Sequence, residues 1–152
     1  DGHIGKLIQV RDALVEAGAT VANYDRIKED PNSIKGMWQT TEERIVTDSA
    51  TGEPTGEMTH IFLKFNNISG GTIYYRTDGG CTYSAPFGSE LNNDKLVIRQ
   101  QGMATSPTCA RPFSEVTIEC TRGENGMLKC RSFYNGKSHN DFYFLVRSDA
   151  KF

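Results

Sequence analysis

The chain has 152 residues, of which 37% are hydrophobic and 10% aromatic, and its formal net charge is −2. This length suits one domain with a sizeable buried core, and the composition is too apolar for a disordered chain. A surface so close to neutral excludes a protein that attracts nucleic acid or anionic lipid through a strong overall positive charge.

Residues 3–24 carry the pattern of an amphipathic helix. The apolar face recurs with a period of about 3.6 residues and consists of Ile4, Leu7, Ile8, Leu14, Val15 and Val21. Such a helix is marginal in isolation, so this face must pack against another element. This helix could be complete and cover one face of a sheet. Because the pattern begins almost at Asp1, we favour the alternative, the lower part of a longer helix.

From Gly36 onward the pattern changes to short strands separated by clusters of Gly, Asn, Asp and Pro. The predicted strands are 37–48, 58–65, 72–77, 81–87, 96–101, 116–121, 128–133 and 142–147. Strands at this spacing are typical of an antiparallel sandwich or barrel. We therefore predict an α+β fold in a single domain, 1–152. It would consist of the N-terminal helix and a β-rich head over 36–152, with seven to eight short strands arranged as a sandwich or partly closed barrel.

Four cysteines indicate two disulfides, and these predict an extracytoplasmic location. They are Cys81, Cys109, Cys120 and Cys130. A zinc site is the alternative, but zinc sites usually contain two ligands about two to four residues apart, and these cysteines include no such pair.

Four cysteines allow three connectivities, and the predicted turn at 123–127 favours one of them. Cys120 and Cys130 flank this turn almost symmetrically, which would make them cross-strand neighbours with Cβ atoms about 4.5–5.5 Å apart. We therefore prefer the pair Cys120–Cys130 and, by elimination, the pair Cys81–Cys109.

The sequence contains no recognisable catalytic constellation. His3, His60 and His139 lie far apart along the chain, and none has a partner at the spacing of metal ligands. Nucleophile-elbow, P-loop and dinucleotide-binding motifs are absent. We expect no enzyme activity, no metal ion and no cofactor.

The C-terminal part interleaves basic and aromatic residues, including Arg131, Tyr134, Lys137 and Tyr143. Basic grooves with stacking aromatic rings bind single-stranded nucleic acid. The alternative, which we favour, is a solvated sheet face with aromatic rings in the core.

Gly36-Met37-Trp38 at the start of the first strand, followed by about eight strands, resembles lipocalins and related small barrels. In those families an Arg near the end of the last strand packs over the Trp, and Arg147 stands at the corresponding place. The resemblance implies a secreted barrel that binds a small apolar ligand. A long N-terminal helix departs from that pattern.

A second resemblance uses the order of the elements. An amphipathic helix followed by a disulfide-bonded antiparallel sheet is similar to the soluble head of a type IV minor pilin or a type II pseudopilin. Asn93–Arg99 resembles the D-x-L-x-x-R strand of larger minor pilins, and Leu128-Lys129-Cys130 resembles their L-x-C strand.

The pilin resemblance implies a non-enzymatic filament subunit whose partners are other subunits. It would be anchored in the inner membrane by the missing N-terminal segment before assembly and would lie at the cell surface afterwards. We take this as the first hypothesis and the lipocalin-like barrel as the second. The third is a periplasmic protein inhibitor or immunity protein.

Overall fold

A computed structural model describes residues 23–47, 53–109, 112–134, 137–138 and 142–152. Within these ranges lie helix α1 (Asn23–Glu29) and two short 3-10 helices, Pro31–Ile34 and Glu124–Gly126. The strands of this part are β1 (Gly36–Thr40), β2 (Arg44–Thr47), β3 (Pro54–Asn67), β4 (Gly70–Thr77), β5 (Thr82–Asn92), β6 (Lys95–Gln100), β7 (Thr117–Arg122), β8 (Leu128–Tyr134), β9 (Lys137–Ser138) and β10 (Tyr143–Arg147).

Eight of these strands form a closed antiparallel barrel. Their order around the ring is β1, β3, β4, β5, β6, β7, β8 and β10. The ring closes because β1 pairs with β3 on one side and with β10 on the other, so that Trp38 lies between Leu63 and Arg147. Outside the ring, β2 pairs with β3 and β9 pairs with β8.

Side chains alternate between the inside and the outside of the barrel, as the period of a strand requires. Strand β3, for example, buries Thr59, Ile61, Leu63 and Phe65 on its inner face. The inward residues of all eight strands form one hydrophobic core. The core therefore lies inside the barrel itself.

Helix α1 and the first 3-10 helix cover one end of the barrel, which we call the closed end. Tyr24 and Ile27 of α1 are almost fully buried. On the exposed side of the helix, Asp25 accepts a hydrogen bond from Arg122 at 3.0 Å, and Lys28 pairs with Asp94. These contacts attach α1 to the ends of the strands.

Trp38 is the centre of the closed end and is 1% exposed. Its indole Nε1 donates a hydrogen bond to the carbonyl of Ile34 at 2.8 Å. The guanidinium of Arg147 lies over the indole ring, with Cζ 4.3 Å from the ring centroid, and donates to the carbonyls of Lys35 at 2.7 Å and of Ser33. The sequence-based prediction that Arg147 packs over Trp38 is therefore confirmed.

Gly36 is required by the same arrangement. Its φ is +122°, a backbone conformation that residues other than glycine rarely adopt. A Cβ at this position would also lie 3.0 Å from Nη1 of Arg147. The Gly36-x-Trp38 spacing thus lets the arginine cross the start of β1 and reach the indole ring.

An aromatic cluster lies on the outer face of β3 and β4. Phe152 stacks on Tyr74 with ring centroids 4.1 Å apart and meets Phe62 edge-on at 4.9 Å. Arg76 lies over the Phe152 ring at 4.3 Å. The C-terminal residues therefore pack against the outside of the barrel.

The α+β prediction is wrong, because the structure is mostly β and its sheet closes on itself. A sandwich or partly closed barrel was expected since strand periodicity does not indicate whether the first and last strands meet. The eight predicted strands correspond to the eight of the ring, but segment 37–48 is divided into β1 and β2.

The predicted helix over residues 3–24 lies outside the described residues except for positions 23 and 24. These two positions begin α1, which continues to Glu29. The predicted apolar face also lies outside the described part of the chain.

Replacing Arg147 with lysine tests the closed end. An ammonium group cannot lie flat over the indole ring and reach several carbonyls at once. We expect the free energy of unfolding to fall by about 1.5–3 kcal/mol, the range of hydrogen bonds made by a charged group. Urea denaturation followed by Trp38 fluorescence measures this.

Arg99→Lys is the matched control. Arg99 is exposed on the outer face and pairs with Glu90 at 3.0 Å. Its replacement should change the free energy of unfolding by no more than about 0.5 kcal/mol. Equal losses in the two variants would contradict the role assigned to Arg147.

Candidate functional site

The end of the barrel opposite α1, which we call the mouth, has an aromatic and polar interior. Tyr75, Tyr83 and Tyr143 are each no more than 4% exposed, and half-buried Tyr134 ends β8. They occupy alternate, inward positions of β4, β5, β8 and β10. The other buried polar side chains at this end are Thr40, Thr59, Thr77, Gln100 and Ser132.

Two pairs of side chains satisfy much of this buried polarity. The Tyr75 hydroxyl donates to Oε1 of Gln100 at 2.5 Å, and the hydroxyls of Ser132 and Tyr143 are 2.7 Å apart. Burial raises the pKa of the Tyr75 hydroxyl well above its ordinary value, and Tyr134 and Tyr143 add to the shift. Tyr75 therefore remains a neutral hydrogen-bond donor at physiological pH.

The connection between β6 and β7, residues 101–116, folds back as a flap, of which residues 110 and 111 lie outside the described residues. Its two arms pair at Ala104 and Phe113, and Thr105 pairs with Ser84 of β5. Ala104 is fully buried. The flap thus extends the wall of the barrel beside the first residues of β5.

Gln100 joins the flap to the interior of the barrel. Its Nε2 donates to the carbonyl of Gly102 at 2.8 Å, to that of Ser114 at 3.2 Å and to that of Phe113 at 3.4 Å. Because its Oε1 accepts from Tyr75, one buried amide connects both arms of the flap to an inward-facing ring.

Phe113 extends from the flap onto two inward-facing rings of the mouth. It stacks on Tyr83, with centroids 4.5 Å apart and an interplanar angle of 25°, and contacts Tyr75 at 4.7 Å and 54°. Phe113 itself is half-buried. The flap therefore places an aromatic ring over the interior at the mouth.

A disulfide between Cys81 and Cys109 tethers the flap to the turn before β5. The second disulfide joins Cys120 to Cys130 across β7 and β8, with Cα atoms 4.1 Å apart. Both predicted pairs are present in the structure. The first disulfide holds the flap, and the second, fully buried, lies in the wall.

Arg44 supplies a positive charge at the mouth. It lies opposite Thr59 in the register of β2 and β3 and therefore shares the inward face. Its guanidinium carbon is 4.4 Å from the centroid of the Tyr143 ring. Burial raises the pKa of Tyr134, and the charge of Arg44 opposes this shift.

The structure does not bring the predicted basic and aromatic residues together on one surface. Tyr134 and Tyr143 belong to the inward set, whereas Arg131 lies outward with its guanidinium 4.2 Å from the centroid of the Phe142 ring. Lys137 lies in β9. Tyr134 and Arg131 thus lie on opposite faces of β8, whereas Phe133 shares the outer face with Arg131.

The described residues contain no group of three or more His, Cys, Asp or Glu side chains placed to hold a metal ion. No helix among them has the length and hydropathy needed to cross a membrane. His60 lies near Thr40, 3.4 Å between Nδ1 and Oγ1, and near Glu43 at 3.9 Å.

Comparisons of the chain with protein-family models, with curated proteins and with solved structures find no match. The functional interpretation must therefore come from the geometry of the molecule itself.

The residues that sequence reasoning missed are Tyr75, Tyr83, Gln100 and Phe113. The alternation of strands β4 and β5 was visible in the sequence, but it does not indicate which face is the inside of a closed barrel. Phe113 directly follows the predicted long loop. Nothing in the neighbouring sequence indicates that its ring contacts Tyr75 and Tyr83, which lie thirty or more positions earlier in the chain.

Replacing Gln100 with leucine tests the attachment of the flap. Leucine removes both the acceptor of Tyr75 and the donor to the flap carbonyls, and unpaired buried polar groups cost about 1–3 kcal/mol. We expect amide hydrogen exchange over residues 101–116 to accelerate by about tenfold, since local opening becomes easier. Exchange mass spectrometry on peptides from this segment measures it.

The neighbouring Gln101 is exposed, so Gln101→Leu is the control and should leave the exchange rate unchanged. If both variants exchange like the unmodified protein, Gln100 does not hold the flap.

Proposed function

We propose that this protein is a non-enzymatic, extracytoplasmic barrel of the lipocalin-like kind, which binds one small and largely apolar ligand inside the barrel at the mouth. The flap would cover the bound ligand. Two disulfides are compatible with a location outside the cytoplasm.

The first support for the proposal is the construction of the barrel. Eight antiparallel strands enclose an interior that is just wide enough to be filled by side chains or to hold one small ligand. Trp38 of the G-x-W sequence lies under an arginine from the last strand, which is the arrangement that the resemblance to lipocalins implied. Because α1 and the first 3-10 helix cover the closed end, a ligand would enter through the mouth.

The second support, and the observation that carries the proposal, is the difference between the two ends of the interior. Toward the closed end the inward residues are mainly aliphatic or phenylalanine, such as Leu63, Leu96 and Leu128. At the mouth they are tyrosines with a few amide and hydroxyl groups. Small-molecule sites typically combine apolar walls with a few placed polar groups.

The other two hypotheses have no comparable support among the described residues. A filament subunit would assemble through the predicted helix at residues 3–24, nearly all of which lies outside those residues, so this role stays a prediction. An inhibitor or immunity protein would require a partner surface, and that role also stays a prediction.

A titration with N-phenyl-1-naphthylamine tests the proposed function. This neutral fluorophore emits strongly only in apolar surroundings. We expect saturable binding of one molecule per chain and an increase in the free energy of unfolding with ligand concentration, about 2.7 kcal/mol at a hundred times the Kd.

A pair of neighbouring substitutions determines whether the fluorophore binds inside. Ala85 faces inward and is 5% exposed, whereas Ser84 is exposed on the outer face of the same strand. Ala85→Met fills interior volume and should weaken binding by about tenfold, while Ser84→Met should bind like the unmodified protein. Binding that is unsaturable, or equally affected by both variants, would refute an interior site.

A further inference from the structure

We propose that the ligand is a planar aromatic molecule and that Phe113 is an internal substitute for it, occupying a position against the rings of Tyr75 and Tyr83 until the ligand displaces it. This inference rests on the proposed function, because it names the ligand class of the same site. We call the position that Phe113 occupies against these two tyrosine rings the aromatic slot.

The geometry of the slot is that of aromatic recognition. Phe113 lies nearly parallel to Tyr83, at 25°, and tilted to Tyr75, at 54°. Aromatic pairs prefer such offset-stacked or tilted arrangements with centroids about 4.5–7 Å apart. Any planar ring that entered the mouth would find the same two faces.

The backbone around the slot is built so that Phe113 can leave without unfolding the barrel. The flap meets β5 through the pair Ser84–Thr105 and through the backbone N–H of Gln101, which donates to the carbonyl of Pro86 at 2.8 Å. It meets the interior through the amide of Gln100, which also donates to the carbonyl of Phe113, so the Phe113 ring would leave by rotation of its side chain while its backbone stays bound. The disulfide Cys81–Cys109 keeps it attached whether or not the ring is inserted. The strands of the ring keep their own ladders.

The rest of the mouth also favours aromatic ligands over aliphatic chains. The rings of Tyr134 and Tyr143 also belong to the inward set of the mouth, and Arg44 covers one face of Tyr143. A guanidinium over a ring is attracted to its π-electrons, so the mouth offers faces and edges of rings rather than an aliphatic channel.

Two substitutions should act in opposite directions on the Kd of N-phenyl-1-naphthylamine. Phe113→Leu removes the competing ring but keeps an apolar side chain, so binding should tighten by about three- to tenfold, as loss of one competing aromatic pair implies. Tyr83→Leu removes a wall of the slot and should weaken binding by a similar factor. A merely structural role for both rings would weaken binding in both variants.

Phe133→Leu is the matched control, because Phe133 follows inward Ser132 on β8 and lies on the outer face. It should leave the Kd unchanged. Near-ultraviolet circular dichroism and urea denaturation verify that each variant is folded before titration. Should Phe113→Leu not fold, Tyr83→Leu still tests the slot.

Two competitors with ten carbon atoms each test the ligand class. In the unmodified protein, 2-naphthol should displace the fluorophore at a concentration at least about fivefold lower than 1-decanol, because only the planar molecule can replace Phe113. Phe113→Leu should tighten 2-naphthol but not 1-decanol.

The failures of the two proposals are distinguishable. If the fluorophore binds inside the barrel but Phe113→Leu has no effect, or 1-decanol competes as well as 2-naphthol, the aromatic slot is refuted and the proposed function stands. If neither the unmodified protein nor Phe113→Leu binds the fluorophore, both proposals are refuted.

Discussion

The closure of the barrel at Trp38 is the constraint on which the rest of the structure depends. Strand β1 must pair with β3 and β10 at once, and the indole of Trp38 anchors it by a hydrogen bond to Ile34 and by stacking under Arg147. If β1 separated, the sheet would have two open edges, with unpaired backbone groups and an exposed core. Gly36 allows the arginine to approach, so three residues that are far from the mouth determine that the protein has an enclosed interior.

The two ends of the barrel interior differ, because only one of them is covered by α1 and Trp38. Helix α1 and Trp38 fill the end where the inward residues are mostly aliphatic, while tyrosines and their hydrogen-bonded partners collect at the other end. The flap lies at that second end, held by a buried amide and a disulfide. Buried hydroxyls and amides at the mouth are hydrogen-bonded, Tyr75 to Gln100 and Ser132 to Tyr143, and Thr59 and Thr77 to backbone carbonyls, which limits the cost of burying them. The same pairing fixes the positions of the rings that Phe113 contacts.

The sequence alone predicted the strands and both disulfides, because these depend on local periodicity and on symmetry about a turn. The packing of Arg147 over Trp38 was implied by the resemblance of Gly36-x-Trp38 to lipocalins. The sequence did not predict closure, which depends on pairing between β1 and β10 at opposite ends of the chain. It also did not indicate that Tyr75 and Tyr83 face inward, since alternation alone does not identify the buried face. For Tyr134 and Tyr143, the interpretation that we favoured from the sequence already placed the aromatic rings in the core. Gln100 and Phe113 were missed because their contacts come from the folding of the flap against residues distant in sequence.

The most direct test of an interior site at the mouth uses the six tyrosines of the chain as reporters in nuclear magnetic resonance. Tyr24 lies at the closed end and Tyr74 on the outer face, whereas Tyr75, Tyr83, Tyr134 and Tyr143 line the mouth. With tyrosine rings labelled with carbon-13 and saturating N-phenyl-1-naphthylamine, we predict that the ring signals of Tyr75 and Tyr83 shift most and that those of Tyr24 and Tyr74 stay in place. Shifts that are largest at Tyr74, or confined to Tyr24, would contradict this prediction.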